Sequence, residues 1–289
     1  MKTILVPTDF SETAKLALEV AVQLTKKYNS KLVLLHLLEI PVHLLPTGDK
    51  TNDVTSAQST HQNDLPAALF YMKLAQKRFA EIAELPFMKG VEYEENVQNY
   101  LDFKAIIDSA HKYNADLIVM GSHGATGFKE MFVGSNTEKV VRTSDIPVLV
   151  IKSKNENFNV KNFVFATNWE KESKQSIIDA YKLAEKLGAK MNILYVNTSG
   201  NTFLTTEEID QKFDNLLKDT AINGDAVTTS IYSDKSIEEG ILNFSKKMNA
   251  DLIGVTTHGR RGIAHFFNNS ISEDIANHAE RPVVTFKIE

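Results

Sequence analysis

The sequence contains no cysteine among its 289 residues. This absence excludes disulfides, thiolate nucleophiles and cysteine-ligated zinc or iron–sulfur sites, and it fits a reducing compartment such as the cytoplasm. Long hydrophobic runs are also missing, because polar residues and a proline interrupt the most apolar stretch, residues 32–45. A membrane helix needs about 20 apolar residues. We therefore expect a cytoplasmic protein with no membrane span and no export segment.

Basic residues are not in excess, since 32 Lys and Arg stand against 37 Asp and Glu and give a net charge of −5. Nucleic acid is therefore not an expected partner. Several catalytic and nucleotide-binding motifs are absent as well: the P-loop, G-x-G-x-x-G, G-x-S-x-G and H-E-x-x-H. His258 and His265 lie seven residues apart with no third ligand suggested, so no protein-built metal site is predicted.

An internal repeat is the strongest feature that is present. Asn114–Ile118 recurs as Asn249–Ile253, 135 residues later, whereas Ile4–Asp9 matches a segment 159 residues later. The first copy therefore contains 24 extra residues, which we assign to the region of residues 47–64 because that region has almost no large apolar side chains. This insertion is either a tolerated surface loop or a lid over a neighbouring site.

Within each copy, short β-rich runs alternate with amphipathic helical stretches. The first copy has five predicted strands, and between them the apolar residues from Ala14 to Val22 follow a helical spacing, with Ser11 as the helix cap. Alternation of this kind is typical of parallel sheets covered on both faces. We predict two α/β domains, residues 1–152 and 161–289, joined by a short polar link at 153–157. The predicted strands of the first copy are 4–7, 31–38, 91–97, 116–120 and 147–151.

Chemistry is concentrated in the segment that follows the fourth strand. Met120–Gly124 is followed by nine residues and then by Gly134–Thr137. Loops of this kind border the ligand crevice of open α/β sheets, where the strand order reverses. Gly121, Gly124 and Gly134 are predicted to adopt positive φ and expose backbone N–H groups. Ser135 to Glu138 forms a capping box that starts a helix, whose N-terminus favours anions such as a phosphate chain.

Two purely structural interpretations of this segment compete with a ligand site. Gly121 alone can end a strand and Ser135 alone can cap a helix. Asp9, which ends the first strand, is predicted to face the same crevice. A carboxylate beside phosphates needs a ribose or base donor, or a shared cation, to be favourable. The competing interpretation of Asp9 is a helix N-terminal aspartate with structural value only.

The sequence resembles the universal stress protein family in its tandem two-domain form. The residues that carry the resemblance are Ile4–Ser11, Leu34–Leu37, Gly121–Gly124, Gly134–Ser135 and Pro147–Val150. The resemblance implies doubly wound, Rossmann-like five-stranded domains with sheet order 3-2-1-4-5. It also implies antiparallel pairing of residues 148–151 with 283–286, which would make the chain an internal pseudo-dimer. In the ATP-binding branch of the family, the glycine loop holds the nucleotide.

Carried over to this sequence, the resemblance assigns Asp9 to the adenosine end, the backbone of Leu37 to the adenine edge and Met120 to the border of the base. Ribose and the first phosphate are then lined by Gly121, His123 and Gly124, and the other phosphates by Gly134, Ser135, Asn136 and Thr137. The expected ligand is ATP, or AMP or ADP, with a divalent ion such as Mg²⁺ between its phosphates. The complete predicted set is Pro7, Thr8, Asp9, Leu37, Met120, Gly121, Ser122, His123, Gly124, Gly134, Ser135, Asn136 and Thr137.

The second copy departs from this pattern in three places. Thr256 and Asn269 replace Gly121 and Gly134, and Asn168 replaces Asp9. A β-branched threonine resists positive φ. His258, Gly259 and Ser270 keep the pattern, so an altered second site is the alternative to its loss. We therefore expect one nucleotide site per chain, in the first copy, with two sites or none as the alternatives.

Three functional hypotheses follow from the sequence. The favoured one is a nucleotide-binding regulator of the stress response, whose bound state changes how its surface meets partners and which has no committed catalytic residue. The second is a slow ATPase or a phosphoryl- or nucleotidyl-transferring enzyme, with Asp9 and His123 as the candidate bases. The third is a scaffold without a ligand. Association of two chains is compatible with each of them.

Overall fold

The computed structural model describes residues 1–38, 65–99, 103–122, 135–200, 203–220, 222, 227–257 and 271–288. Its two halves share one ten-stranded sheet with the order β3-β2-β1-β4-β5-β10-β9-β6-β7-β8. Each half has the predicted order 3-2-1-4-5, so the predicted α/β fold class is confirmed. No helix in these ranges is long and apolar enough to cross a membrane.

The elements alternate along the chain as expected, and the five strands of the first half lie within two residues of their predicted bounds. The first half consists of β1 (Thr3–Pro7), α1 (Glu12–Tyr28), β2 (Lys31–Leu38), α2 (Leu65–Ala83), β3 (Tyr93–Asn99), α3 (Lys104–Lys112), β4 (Leu117–Gly121), α4 (Ser135–Thr143) and β5 (Val148–Ile151). The second half consists of β6 (Asn162–Ala166), α5 (Lys174–Leu187), β7 (Lys190–Thr198), α6 (Thr206–Thr220), β8 (Val227–Asp234), α7 (Ile237–Lys247), β9 (Leu252–Thr257), α8 (Ile271–His278) and β10 (Val283–Lys287).

The two halves meet at an antiparallel pair of strands, as predicted. In the register of β5 and β10, Val283 lies opposite Val150 and Thr285 lies opposite Val148. All other strand pairs are parallel. The pseudo-dimer is therefore a continuous sheet rather than two domains in loose contact.

The central strands are buried on both faces. In β1, Ile4 and Val6 join a core cluster with α1 and α2, while Leu5 joins a separate cluster with α3 and α4. All three side chains are fully buried. The cluster under α1 and α2 continues under α5 and α6 of the second half, so one helical layer covers a single core that runs through both halves. The other layer covers two separate cores.

The polar link between the halves is fixed by one side chain of α1. Gln23 donates from Nε2 to the carbonyl oxygen of Asn155 at 2.8 Å and accepts from the backbone N–H of Phe158 at 2.7 Å. Phe158 itself is buried in the shared core. The link is thus a structured part of the junction.

The repeated Asn-Ala-Asp motif precedes β4 and β9 and has a structural explanation. Asn114 and Asn249 both lie in the left-handed region, with φ of 49° and 47°, and each ends the helical segment before the strand. Asparagine tolerates this conformation better than most residues. The alanine that follows is buried in both copies. The motif therefore marks the entry into an inner strand.

The aspartate of the motif ties the neighbouring strand in place. Asp116 accepts hydrogen bonds from the backbone N–H groups of Lys2 and Thr3, the latter at 3.0 Å, and Asp251 accepts two such bonds at the start of β6, both at 2.9 Å. Burial alone would raise the pKa of Asp116, but these N–H groups, together with the positive charges of Lys186 and the N-terminus, outweigh it and lower the pKa below its usual value. The ionised carboxylate is thus the form that the fold stabilises.

We predict that Asp116→Ala lowers the free energy of unfolding by about 1 kcal/mol at pH 7, because two backbone N–H groups lose a charged acceptor at a partly exposed site. A lowered folded-state pKa stabilises the protein above the unfolded-state pKa, and this stabilisation is lost as the pH falls through the folded-state value. The difference between the variant and the wild type should therefore shrink in acid. Urea unfolding at pH 7 and pH 3 tests this, with the exposed α3 residue Asp108→Ala as the control. An equal loss at both pH values would contradict it.

Candidate functional site

The candidate site lies at the carboxyl ends of β1 and β4. These two strands are neighbours, and the chain order reverses between them. After β1 the chain enters α1 on one face of the sheet, whereas α4, which follows β4, packs on the other face. The two diverging connections leave a crevice at this edge, which is where open α/β sheets bind ligands.

A tight turn follows β1 and fixes Asp9. The backbone N–H of Phe10 donates to Thr8 Oγ1 at 3.0 Å, and that of Ser11 donates to Asp9 Oδ1 at 3.0 Å. Phe10 has a φ of 63°, an uncommon value for a bulky side chain. Ser11 caps α1 as predicted, since its Oγ accepts from the N–H of Ala14 at 3.2 Å. The Asp9 side chain is exposed at the end of this turn.

Three aromatic side chains support the turn, and sequence reasoning missed their role. The Nδ1 atom of His36 lies 2.8 Å from the carbonyl oxygen of Thr8. The ring of Phe10 lies 4.4 Å from that of His36 and 5.2 Å from that of Phe79, centroid to centroid. Because β2 carries His36 and α2 carries Phe79, two neighbouring elements hold the turn in its strained conformation.

The second half contains the same arrangement, and this repetition is the signal that could have identified it. Trp169, Tyr195 and Phe213 occupy the positions of the three aromatic residues, with centroids 5.3 and 5.5 Å from the Trp169 ring. Trp169 also has a positive φ, 56°. Asn168 accepts the N–H of Glu170 at 3.2 Å, so asparagine forms the turn that aspartate forms in the first half.

The prediction that Gly121 has a positive φ is wrong. Among the described glycines, positive φ occurs only at Gly90, Gly188 and Gly200. The physical reason for glycine at 121 is close packing: a Cβ there would lie 2.6 Å from both the carbonyl carbon and the oxygen of Thr13, in the first turn of α1.

The replacement of this glycine by Thr256 in the second half has a matching structural reason. There, residues 171–173 form a 3-10 turn before α5 begins at Lys174, whereas α1 is α-helical from Glu12. The first helix of the second half thus begins differently from α1, and it does so where Thr256 replaces Gly121. Crowding against the protein's own helix, rather than against a ligand, separates the two halves at this position.

Two predicted ligand contacts are already used within the protein. Thr137 Oγ1 donates to the carbonyl oxygen of Gly121 at 3.0 Å, and the backbone N–H of Ser122 donates to the carbonyl oxygen of Ile151 at 3.0 Å. Both Thr137 and Ser122 are buried. These hydrogens are not available to a phosphate, so both residues position the loop ends.

The other predicted residues lie as follows. Pro7 and Leu37 are half-buried, and Asn136 is exposed in the first turn of α4. Met120 is 5% exposed and its side chain packs in the core beneath α3 and α4, so the expectation that it borders a base can involve only its backbone. Ser135 is the first residue of α4. The predicted positions 123, 124 and 134, the insertion at 47–64, and Asn269 lie outside the described residues.

Each of the helices α4 and α8 is held at its carboxyl end by the other half of the chain. Thr257, at the end of β9, donates from Oγ1 to the carbonyl oxygen of Arg142 at 3.4 Å. Lys152, just after β5, donates to the carbonyl oxygen of Asn277. Burial lowers the pKa of Lys152 to about 8. The two candidate sites are therefore connected through the helices that border them.

Metal-ligating groups are sparse near the crevice. No group of three or more His, Asp or Glu side chains that could hold a metal ion occurs within the described ranges. Asp9 is the single acid among the predicted site residues. A divalent ion at this edge would thus take most of its ligands from a bound phosphate chain and water.

Comparison with known proteins identifies the family. The family model of the universal stress protein family matches the chain twice, at residues 1–152 and 159–287. The chain belongs to this family. Universal stress protein MJ0577 of Methanocaldococcus jannaschii is 31% identical over 163 residues, which cover 53% of this chain and 96% of that protein. Universal stress protein YxiE of Bacillus subtilis is 31% identical over 152 residues, with 51% and 97% covered.

A solved structure has the same two-domain arrangement over the whole chain. The crystal structure of a universal stress protein from Archaeoglobus fulgidus aligns with a TM-score of 0.66, covering 99% of this chain and 96% of that one, at 20% identity. This similarity shows the tandem fold of the universal stress protein family.

In this universal stress protein we predict that Gly121→Ala lowers the free energy of unfolding by about 1–3 kcal/mol, because the new methyl group must displace the backbone of Thr13. Thermal and urea unfolding measure the change. Thr256→Ala, at the equivalent position of the second half, should cost clearly less. If Gly121→Ala were as stable as the wild type, the close-packing explanation would be wrong.

Proposed function

We propose that this protein binds an adenine nucleotide, ATP or its products ADP and AMP, in the crevice of its first half. Its bound state then changes its contacts with partner proteins in a cytoplasmic stress response. One observation carries the proposal: a supported turn fixes the exposed carboxylate of Asp9 at the carboxyl edge of the sheet. The connection from β4 to α4 begins at the same edge, beside β1. A polar anchor and a helix N-terminus thus border one crevice.

The helix N-terminus suits the phosphate end of the nucleotide. α4 begins at Ser135, and its first N–H groups and its dipole favour a negative charge. Asn136 is exposed in this first turn and can donate from its amide group. The spacing of glycines 121, 124 and 134 is that of the ATP-binding branch which the sequence resembles.

Asp9 suits the adenosine end. A carboxylate accepts hydrogen bonds from ribose hydroxyls, whereas close to phosphates it would need a bridging cation. Its Oδ1 already accepts from Ser11, so the group is oriented before a ligand arrives. Pre-orientation of this kind reduces the entropy cost of binding.

The second half is less suited to the same ligand. Asn168 lacks the charge, and its Oδ1 accepts from Ser173 Oγ at 2.8 Å in addition to the N–H of Glu170. Val196, the counterpart of Leu37, packs so closely against α7 that a Cβ on Gly240 would lie 2.4 Å from it. These contacts favour one nucleotide per chain.

The polar residues of the crevice supply positioning and electrostatics rather than proton transfer. Asp9, one of two candidate bases, is engaged in the turn after β1. Regulation by occupancy is therefore favoured over turnover. Multiple-turnover release of phosphate or pyrophosphate by the purified protein would instead indicate an enzyme that uses this crevice.

We predict that Asp9→Asn lowers the affinity for ATP about tenfold with little change in thermal stability. The loss of one charge-assisted hydrogen bond corresponds to about 1.4 kcal/mol. The fold should be retained because Asn168 forms the same turn in the second half. Isothermal titration calorimetry measures the affinity, and Asn168→Asp is the matched control, with unchanged ATP binding expected. Wild-type affinity in Asp9→Asn would remove Asp9 from the site.

We also predict that Gly134→Val abolishes binding of magnesium–ATP, whereas Gly259→Val leaves it nearly unchanged. The added side chain should block the approach of a phosphate to the backbone in the first half only. Calorimetry should give one nucleotide per wild-type chain. Trp169, the single tryptophan, follows Asn168 in the turn after β6, so its fluorescence reports changes at that turn of the second half. Equal loss of binding in both variants, or ATP bound to the second half alone, would overturn the asymmetric assignment.

A further inference from the structure

Helices α2 and α6 occupy equivalent places at the two ends of the shared helical layer. Phe79 of α2 packs against Phe10, and Phe213 of α6 packs against Trp169 in the same position of the second half. Both helices belong to the layer over the continuous core. A residue of α2 therefore corresponds to the residue of α6 that lies 134 positions later.

The outward side of α2 combines apolar and positively charged side chains. Leu69, Phe70 and Leu74 are 50%, 62% and 41% exposed, although all three are large and hydrophobic. Lys73 and Lys77 are exposed between them and form no salt bridge within the part of the chain that the structure describes. We call these five residues the basic apolar face. Contiguous exposed apolar groups of this kind mark interaction surfaces.

The outward side of α6 is acidic over residues 207–214 and ends with the exposed Lys218. Phe203, the counterpart of Leu69, is 57% exposed just before the helix. Glu207, Gln211 and Asp214 are exposed along it, and neither acid is in a salt bridge in the described ranges. Glu207 is the counterpart of Lys73. We call Phe203, Glu207, Gln211 and Asp214 the acidic face.

We propose that two copies of this chain associate through these surfaces, with the basic apolar face of one copy against the acidic face of the other. Both faces point outward from one helical layer and lie at its two ends. A two-fold axis parallel to the strands, between two such layers, places α2 of each copy over α6 of the other and forms the contact twice. An axis across the strands would place α2 over α2 and bring lysines together. Opposite charge selects the first arrangement.

A second copy explains more of the surface than an anionic membrane does. A helix with exposed leucine, phenylalanine and lysine side chains also suits an anionic lipid surface. That partner would leave the exposed ring of Phe203 and the acids of α6 without a role, and those acids would be repelled from the same membrane. The complementary pair of faces therefore favours self-association.

The experiment is a charge-exchange series on the full chain without nucleotide, followed by sedimentation velocity and light scattering. The wild type should have twice the 32.3 kDa mass of the chain at low salt and should shift towards the monomer as salt is added. Lys73→Glu/Lys77→Glu and Glu207→Lys/Asp214→Lys should each be monomeric. A mixture of these two variants should pair opposite charges at both contacts, one in the native sense and one reversed, and hence form a dimer.

The control carries the same change of charge on the opposite layer: Lys235→Glu/Lys246→Glu, at α7, should remain dimeric. A wild type that stays monomeric over the whole accessible concentration range would overturn the proposal, as would a dimer that persists in Lys73→Glu/Lys77→Glu. Failure of the mixture to associate would do the same. If the wild type is monomeric and sediments with phosphatidylserine vesicles, and if Lys73→Glu/Lys77→Glu does not, the basic apolar face binds lipid instead. None of these results depends on nucleotide binding.

Discussion

The crevice depends on how closely two helices approach one residue, Gly121. On one side its missing side chain lets the first turn of α1 lie against the end of β4 at Thr13. On the other side its carbonyl oxygen accepts the hydroxyl of Thr137 in the first turn of α4. The N-termini of the two helices that border the crevice are therefore positioned by a single point of the backbone. The second half has Thr256 at this point and begins its first helix with a 3-10 turn. The two halves thus differ in how the first helix begins beside this point.

The fold could be predicted because its causes are local and repeated. Runs such as Ile4–Val6, with buried side chains on both faces, are typical of inner parallel strands, and the Asn-Ala-Asp motif recurs before β4 and β9. The site was harder to predict because its contacts are distant in the sequence. Nothing in the sequence around Gly121 indicates that the backbone of Thr13 lies against it. The turn at Asp9 was predictable in principle, because a Thr-Asp or Thr-Asn pair followed by an aromatic residue occurs in both copies.

Duplication has preserved the inner side of the helical layer and changed its outer side. Phe79 and Phe213 make the same aromatic contact inward, whereas the outward positions 73 and 207 carry opposite charges. The inner side is constrained because a buried ring cannot be replaced without a cavity or an overlap. An exposed charge has little effect on the stability of its own domain. Surface charge is therefore where two copies of one fold can acquire different partners at the lowest cost in stability.

Helix α4 contacts both halves of the chain. α4 is held at its N-terminal end by Gly121 of its own half and at its C-terminal end by Thr257 of the other. Nine residues form about two and a half turns, which are stiff when both ends are fixed. A displacement of the N-terminal end of α4 would therefore alter its contact with the end of β9. The antiparallel pair of β5 and β10 also fixes the two halves against each other, so the contact of α4 with Thr257 is a further connection between them.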